Sequence, residues 1–182
     1  TVSAGVLPYP LTFLITDILS EVYGRKKTSL IVATGFFASL LVLVILYVGN
    51  IFPAIESSPV SQDQYATVFQ NSWKIIMASM AAYLVAQFLD IRIFHFWKKL
   101  THGKHLWIRN NFSTVISQLV DTTLVVGIIF IGVKGWPFIG QLILDGWFFK
   151  ILFAAADTIL IYPIVFAFRK TFNLKQGQEL EF

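Results

Sequence analysis

Residues Thr28 to Val48 form an unbroken run of 21 residues without a charged side chain. As a helix rising 1.5 Å per residue the run is about 31 Å long, which matches the hydrocarbon thickness of a bilayer. Lipid offers no partner for backbone N–H and C=O groups, so a segment at that depth has to be a helix with its hydrogen bonds inside itself. One such helix commits the chain to a membrane, and the rest must pack around it.

Four further segments reach spanning length when occasional polar residues are allowed: about Val2 to Ser20, Trp73 to Trp97, Phe112 to Val133 and Trp147 to Phe168. Only 13% of the residues are charged against 56% hydrophobic, about half the charge of an ordinary soluble domain. Tyr47, Trp73, Trp97, Trp107, Trp136 and Trp147 stand near segment ends, as an interfacial belt would. The expectation is an all-α polytopic membrane protein, one helical-bundle domain over residues 1–182 with five transmembrane helices. Between the fourth and fifth, Phe138 to Leu144 is apolar but too short to span and is expected at the interface or re-entrant. Tyr65 to Phe69 is expected as an interfacial turn of helix, and Asn110 and Asn111 as N-caps of the fourth helix.

Orientation follows from the basic residues. Arg25, Lys26 and Lys27, then Lys98, Lys99, Lys104 and Arg109, then Arg169, Lys170 and Lys175 occupy alternate connections and so share one side, expected to be cytoplasmic. Residues 49–72 carry Glu56 and Asp63 and no Lys or Arg, and residues 134–146 carry only Lys134 and Asp145. The formal net charge of +4 therefore reports topology, not a nucleic-acid partner. This topology puts Thr1 outside, in a sequence that begins without Met, so a further helix is expected upstream, giving six in the full-length protein with both termini inside. With no cysteine, disulfide and thiol chemistry are excluded.

A carboxylate at membrane depth costs roughly 2.5–3.5 kcal/mol on insertion scales, so the acids within the spans require a reason. Asp17 and Glu21 are four apart on the first helix, with Thr16, Ser20 and Gly24 beside them. The third helix carries Gln87 and Asp90 on a stripe with Tyr83 and Phe94, and the fourth carries Asn111, Thr114, Gln118 and Asp121 at helical spacing. The fifth carries Asp157, with Lys150 two turns earlier on nearly the same face. Local partners are open to several of them: Arg25 for Glu21, Lys98 or a backbone donor for Asp90, and Lys150 or Arg92 for Asp157. Together, four or five acids facing lipid would cost on the order of 10 kcal/mol, comparable to the stability of a whole domain. They are expected to converge on an interior polar cavity.

Four stretches, in order along the chain, resemble the YhhQ family, also called the vitamin uptake or queuosine precursor transporter family. They are Thr16-Asp-Ile-Leu-Ser-Glu-Val-Tyr-Gly-Arg25, Gln87-Phe-Leu-Asp-Ile-Arg-Ile-Phe-His95, Gly103-Lys-His-Leu-Trp-Ile-Arg-Asn-Asn111 and Ser117-Gln-Leu-Val-Asp121. The resemblance covers almost the whole chain, starting near the family's second helix. It implies a six-helix importer in the bacterial inner membrane, with 7-deazaguanine precursors of queuosine as substrate.

The residues suit that substrate class. The N1–H and exocyclic amine of a 7-deazaguanine form a donor edge for one carboxylate, its O6 accepts from a Gln amide, and an aminomethyl substituent would add a cation for a second carboxylate. Aromatic side chains stack such rings. An amine or another heterocyclic vitamin would ask for a similar set. Asp17, Glu21, Gln87, Asp90, Gln118 and Asp121 are therefore expected to line the cavity, with Asp157 for proton relay or charge balance and Tyr23 and Phe94 as stacking partners. Arg109 and Asn110 are expected to order the cytoplasmic mouth, with helix capping the simpler role for Asn110.

No cofactor or metal is called for, since His95, His102 and His105 fall at or beyond the basic end of the third helix, where a solvated loop or headgroup contact is the simpler role. No Gly-x-x-x-x-Gly-Lys-Ser/Thr loop is present, so ATP is not hydrolysed by that route. The partners expected are the small-molecule substrate and the bilayer, and a homo-oligomer is compatible with the pattern. Two other readings stand beside the importer. One is a substrate-binding membrane subunit served by a separate ATPase chain; the other, less suited to scattered acids, is a membrane-embedded enzyme.

Overall fold

A computed structural model describes residues 9–55, 57–70 and 73–180. The chain is all-helical: α1 Tyr9–Ile51, α2 Gln62–Tyr65 running on into a π-helical turn Ala66–Gln70, α3 Trp73–Leu100, α4 Leu106–Phe130 and α5 Trp136–Phe172. Among the described residues, α1, α3, α4 and α5 are long and apolar enough to cross a bilayer. The expected start of the first span at Val2 lies outside the described residues.

The expected first and second spans are joined within α1. Its 43 residues would measure about 65 Å as a straight rod, twice a bilayer's hydrocarbon core. Only Gly24, at φ 77° and ψ 172°, leaves helical geometry, so the basic stretch expected as a loop continues the helix on either side of one residue. That backbone region is essentially confined to glycine, and a Cβ there would also meet the Glu179 carboxylate. The break divides α1 into an inner arm, Tyr9 to Tyr23, and an outer arm, Arg25 to Ile51. The outer arm is held near its start, where Thr28 and Val32 are buried, and near its end, where the Tyr65 hydroxyl donates to the Leu46 carbonyl at 3.0 Å.

The fifth helix also differs from expectation. Phe138 to Leu144 neither lies apart nor re-enters but forms the opening turns of α5. Pro137 sits in the first turn, where no N–H is required of it, and Asp145 is tied back by Gln141 Nε2–H at 2.7 Å, so the helix runs through the polar interruption. The fourth helix likewise starts earlier than expected, at Leu106 after His105 in left-handed conformation, so Asn110 and Asn111 are interior residues and not N-caps.

Contacts set the directions. Phe13 meets Tyr83, ring centroids 6.3 Å apart, and Glu21 meets Lys98, so the inner arm of α1 runs alongside α3 in the same sense. α4 runs against both, and α5 returns against α4, with Trp147 Nε1–H on the Val115 carbonyl at 2.9 Å and Asn111 Nδ2–H on Thr158 Oγ1 at 2.6 Å. The closest pair is α3 with α4. Small residues every fourth position, Ala78, Ala82 and Ala86 on α3 and Ser113 and Ser117 on α4, are all buried and let these backbones approach.

Among the described residues 18 polar or charged side chains are buried against 15 hydrophobic ones. The outside is apolar, with Phe37, Leu41, Ile45, Ile128, Ile159 and Phe166 exposed. A water-soluble fold would place these groups the other way round, whereas lipid solvates the outer face and leaves the polar groups to one another. A smaller apolar cluster of Leu14, Ile18, Val22, Phe94, Leu106, Ile161 and Val165 seals the bundle between the polar interior and the basic end.

Candidate functional site

Two buried polar layers follow from the helix stripes. The middle layer is built from α1, α3 and α4. Asp17 and Asp90 lie side by side, each about 1% exposed or less. Thr114 Oγ1 lies 3.4 Å from Asp17 Oδ2, and Ser117 Oγ donates to Asp90 Oδ1 at 2.9 Å, so α4 supplies hydroxyls to both acids. Asp157 approaches Asp17 from α5. Gln87 stands one turn before Asp90 and Gln118 one residue after Ser117, both buried. One turn beyond Gln118, Asp121 Oδ2 accepts from Lys150 Nζ of α5 at 2.6 Å. Lys150 thus serves Asp121; the expected pairing with Asp157 is not the ion pair formed.

Hydrogen-bonding capacity in this layer is only partly used. Among the described residues, Asp17 Oδ1, Asp90 Oδ2, Asp121 Oδ1, Gln118 Oε1, both amide atoms of Gln87, Ser20 Oγ and Thr122 Oγ1 are buried without a well-formed hydrogen bond, although Asp17 and Asp90 face each other and Tyr83 lies beside Gln87. A buried donor or acceptor left unmade costs about 1–3 kcal/mol, so eight such atoms in one region are not a structural arrangement that packing alone would favour. Asp17, Gln87, Asp90, Gln118 and Asp121 are all buried, and surface cavities of 240 to 490 Å³ among the described residues have other linings.

The second layer closes the basic end around Glu21. Arg169 donates to its Oε1, Arg109 Nη2 lies 2.7 Å from the same oxygen, and Lys98 Nζ is 3.6 Å from Oε2. Arg25, the local partner open on sequence, is exposed, because the break at Gly24 takes it off the face of Glu21. Lys98 also donates to the Glu21 backbone carbonyl at 3.0 Å and to Glu179 at 2.9 Å. The tail carrying Glu179 lies across this end, with Leu180 N–H on the Val22 carbonyl at 2.8 Å and Lys27 Nζ on the Leu180 carbonyl at 3.0 Å. Lys98 therefore answers Glu21 and Glu179 and not Asp90.

Among the remaining expected residues, Asn110 is buried with its amide 3.5 Å from Thr158 Oγ1. Phe94 is fully buried with the Arg109 guanidinium 5.6 Å above its ring, and Tyr23 packs on the apolar cluster beside Leu174 and Leu180. Both rings belong to the apolar cluster, whose Leu14 and Ile18 flank Asp17 of the middle layer. The aromatic pair that borders it is Phe13 with Tyr83; Phe13 carried no polar or periodic signal that would have singled it out. In the sequence Arg169 stands out only as part of a basic cluster, and Glu179 carries no signal.

Relatives carry the same description. A protein of Bacillus subtilis (strain 168) called "Probable queuosine precursor transporter" is 31% identical over 134 residues, covering 73% of this chain and 58% of the relative. One of the same description from Haemophilus influenzae (strain ATCC 51907 / DSM 11121 / KW20 / Rd) is 28% identical over 121 residues, covering 65% and 47%. The chain thus spans about half the length of the relatives it matches. No solved structure matches it significantly. The family model described as "Putative vitamin uptake transporter" matches residues 3–164, and the chain, a multi-pass helical membrane protein, belongs to that transporter family.

Proposed function

We propose that this protein imports a queuosine precursor, 7-cyano-7-deazaguanine, 7-aminomethyl-7-deazaguanine or a close relative, across a bacterial inner membrane, with its C-terminus in the cytoplasm. The observation that carries the reading is the set of unpaired buried polar atoms contributed by α1, α3 and α4. Asp90 and Asp17 offer acceptors to the donor edge of the ring, Gln87 and Gln118 offer amides to its carbonyl and ring nitrogens, and Asp121 offers its free oxygen to an aminomethyl cation. Phe13 and Tyr83 supply apolar ring faces beside them. The substrate class comes from the names of the two relatives, and the acceptor-rich layer is chemically matched to it.

Transport requires that the layer open to each side in turn, and Glu21 with its three cations and the overlying tail forms the closure on the basic side. By the positive-inside rule that side is cytoplasmic, so this closure would part last during import. The test uses cells unable to make 7-deazaguanines and lacking this protein, supplied with low external precursor. Expression of the full-length protein restores queuosine in tRNA, whereas Asp90→Asn and Gln118→Leu at equal membrane abundance do not. If the unaltered protein reaches the membrane and queuosine stays absent, the substrate assignment is wrong. If Asp17→Asn, Asp90→Asn and Asp121→Asn all support uptake, the site assignment is wrong.

A further inference from the structure

A cavity of about 240 Å³ lies at the basic end between the start of α4, the last turns of α5 and the tail, apart from the middle layer. Arg109, Arg169, His105 and Gln176 line it, and Tyr162 and Phe166, both exposed on the outer face of α5, form its outer wall. Arg109 is fully buried, yet its Nε–H has no hydrogen-bond partner, and its Nη2 stands near Glu21 without hydrogen-bond alignment. Nη1 alone is well satisfied, on the Lys104 carbonyl at 2.9 Å. Among the described residues three cations, Lys98, Arg109 and Arg169, share two carboxylates, Glu21 and Glu179. The N-terminus of α4 opens beside these groups with no side-chain cap at His105, and its first N–H groups add positive potential.

We propose that this cavity binds a phosphate-bearing anion, seated against Arg109 and Arg169 and the first turn of α4. The cavity presents donors where the middle layer presents acceptors, so it selects the opposite chemistry from the proposed substrate site and does not depend on that reading. Because Tyr162 and Phe166 border it at the depth where the apolar surface gives way to the basic end, the phosphodiester of an anionic phospholipid reaches it from the bilayer. Planar guanidinium groups take such an anion two oxygens at a time. An anion there would also offset positive charge around Glu21 and steady the closure of the basic end.

The experiment follows thermal unfolding of the full-length protein in neutral detergent during titration with phosphatidylglycerol, phosphatidylcholine or inorganic phosphate at matched ionic strength. Phosphatidylglycerol raises Tm saturably and phosphatidylcholine does not. Arg169→Gln weakens the apparent affinity about tenfold, the usual scale for losing one charge-assisted hydrogen bond. Arg169→Lys, which keeps the charge on Glu21, weakens it to a smaller extent, and the exposed neighbour Lys170→Gln leaves it unchanged. A saturable rise with inorganic phosphate alone, lost in the same variants, supports the site with free phosphate as its occupant. An equal rise with phosphatidylcholine, or equal losses in Lys170→Gln and Arg169→Gln, overturns the proposal.

Discussion

Replacing Glu21 by Gln keeps the shape of the side chain and removes the charge on which the basic end is built. The cost divides unevenly among its three cations. Arg169 is 23% exposed and can turn outwards, and Lys98 retains Glu179 and the Glu21 backbone carbonyl. Arg109 is fully buried and keeps only the Lys104 carbonyl at 2.9 Å and the face of Phe94 at 5.6 Å. Breaking a buried ion pair by neutralising one partner costs about 3–5 kcal/mol, because the other charge is stranded, and that is a large share of a typical 5–15 kcal/mol. For a chain of this size each kcal/mol moves Tm by about 2–4 °C, so the fall expected is roughly 6–20 °C in detergent. The origin is checked by a second substitution. If the stranded guanidinium is the cause, Glu21→Gln with Arg109→Met recovers most of the loss, since a well-packed apolar pair is close to neutral in place of a buried ion pair. A fall under about 2 °C for the single variant, or no recovery in the double, refutes the reasoning.

Gln87→Leu should abolish precursor uptake while lowering Tm by no more than a few degrees, since its amide makes no well-formed hydrogen bond for the variant to break; a large fall in Tm would make Gln87 a structural residue. Gly24→Ala should lower stability by about 1–3 kcal/mol through its backbone conformation alone, read as Tm against the unaltered protein. Asp121→Asn should cost more than Asp121→Leu combined with Lys150→Met, because only the first leaves a buried ammonium without its carboxylate, and neither should transport.

Much of this fold was legible because the membrane constrains it so tightly. The lengths of the spans and the alternation of basic connections are enough to bring Lys98, Arg109 and Arg169 to one end. The polar stripes of α3 and α4 were legible for the same reason, as helical periodicity places Gln87 with Asp90 and Gln118 with Asp121. What escaped was non-local or turned on one residue. The continuity of α1 rests on a single glycine that can adopt φ 77°, where three basic residues suggested a loop. Local spacing offered Glu21 the guanidinium of Arg25, yet the charges that hold it come from three other helices. Phe138 to Leu144 is too short to span by itself, yet α5 runs on from it through Asp145, which accepts from Gln141 Nε2–H.

The bonds that close the basic end also order its assembly in time. Glu21 meets Lys98 only when 77 further residues have been made, and Arg169 only after 148. The carbonyl of Val22 receives its N–H from Leu180, beyond α5. During insertion the inner arm of α1 therefore holds Glu21 without these cations until α3 brings Lys98 and α4 brings Arg109, and α5 completes the set with Arg169. Truncation anywhere before Arg169 therefore leaves Glu21 without the guanidinium that α5 supplies, in a chain whose earlier helices can still span.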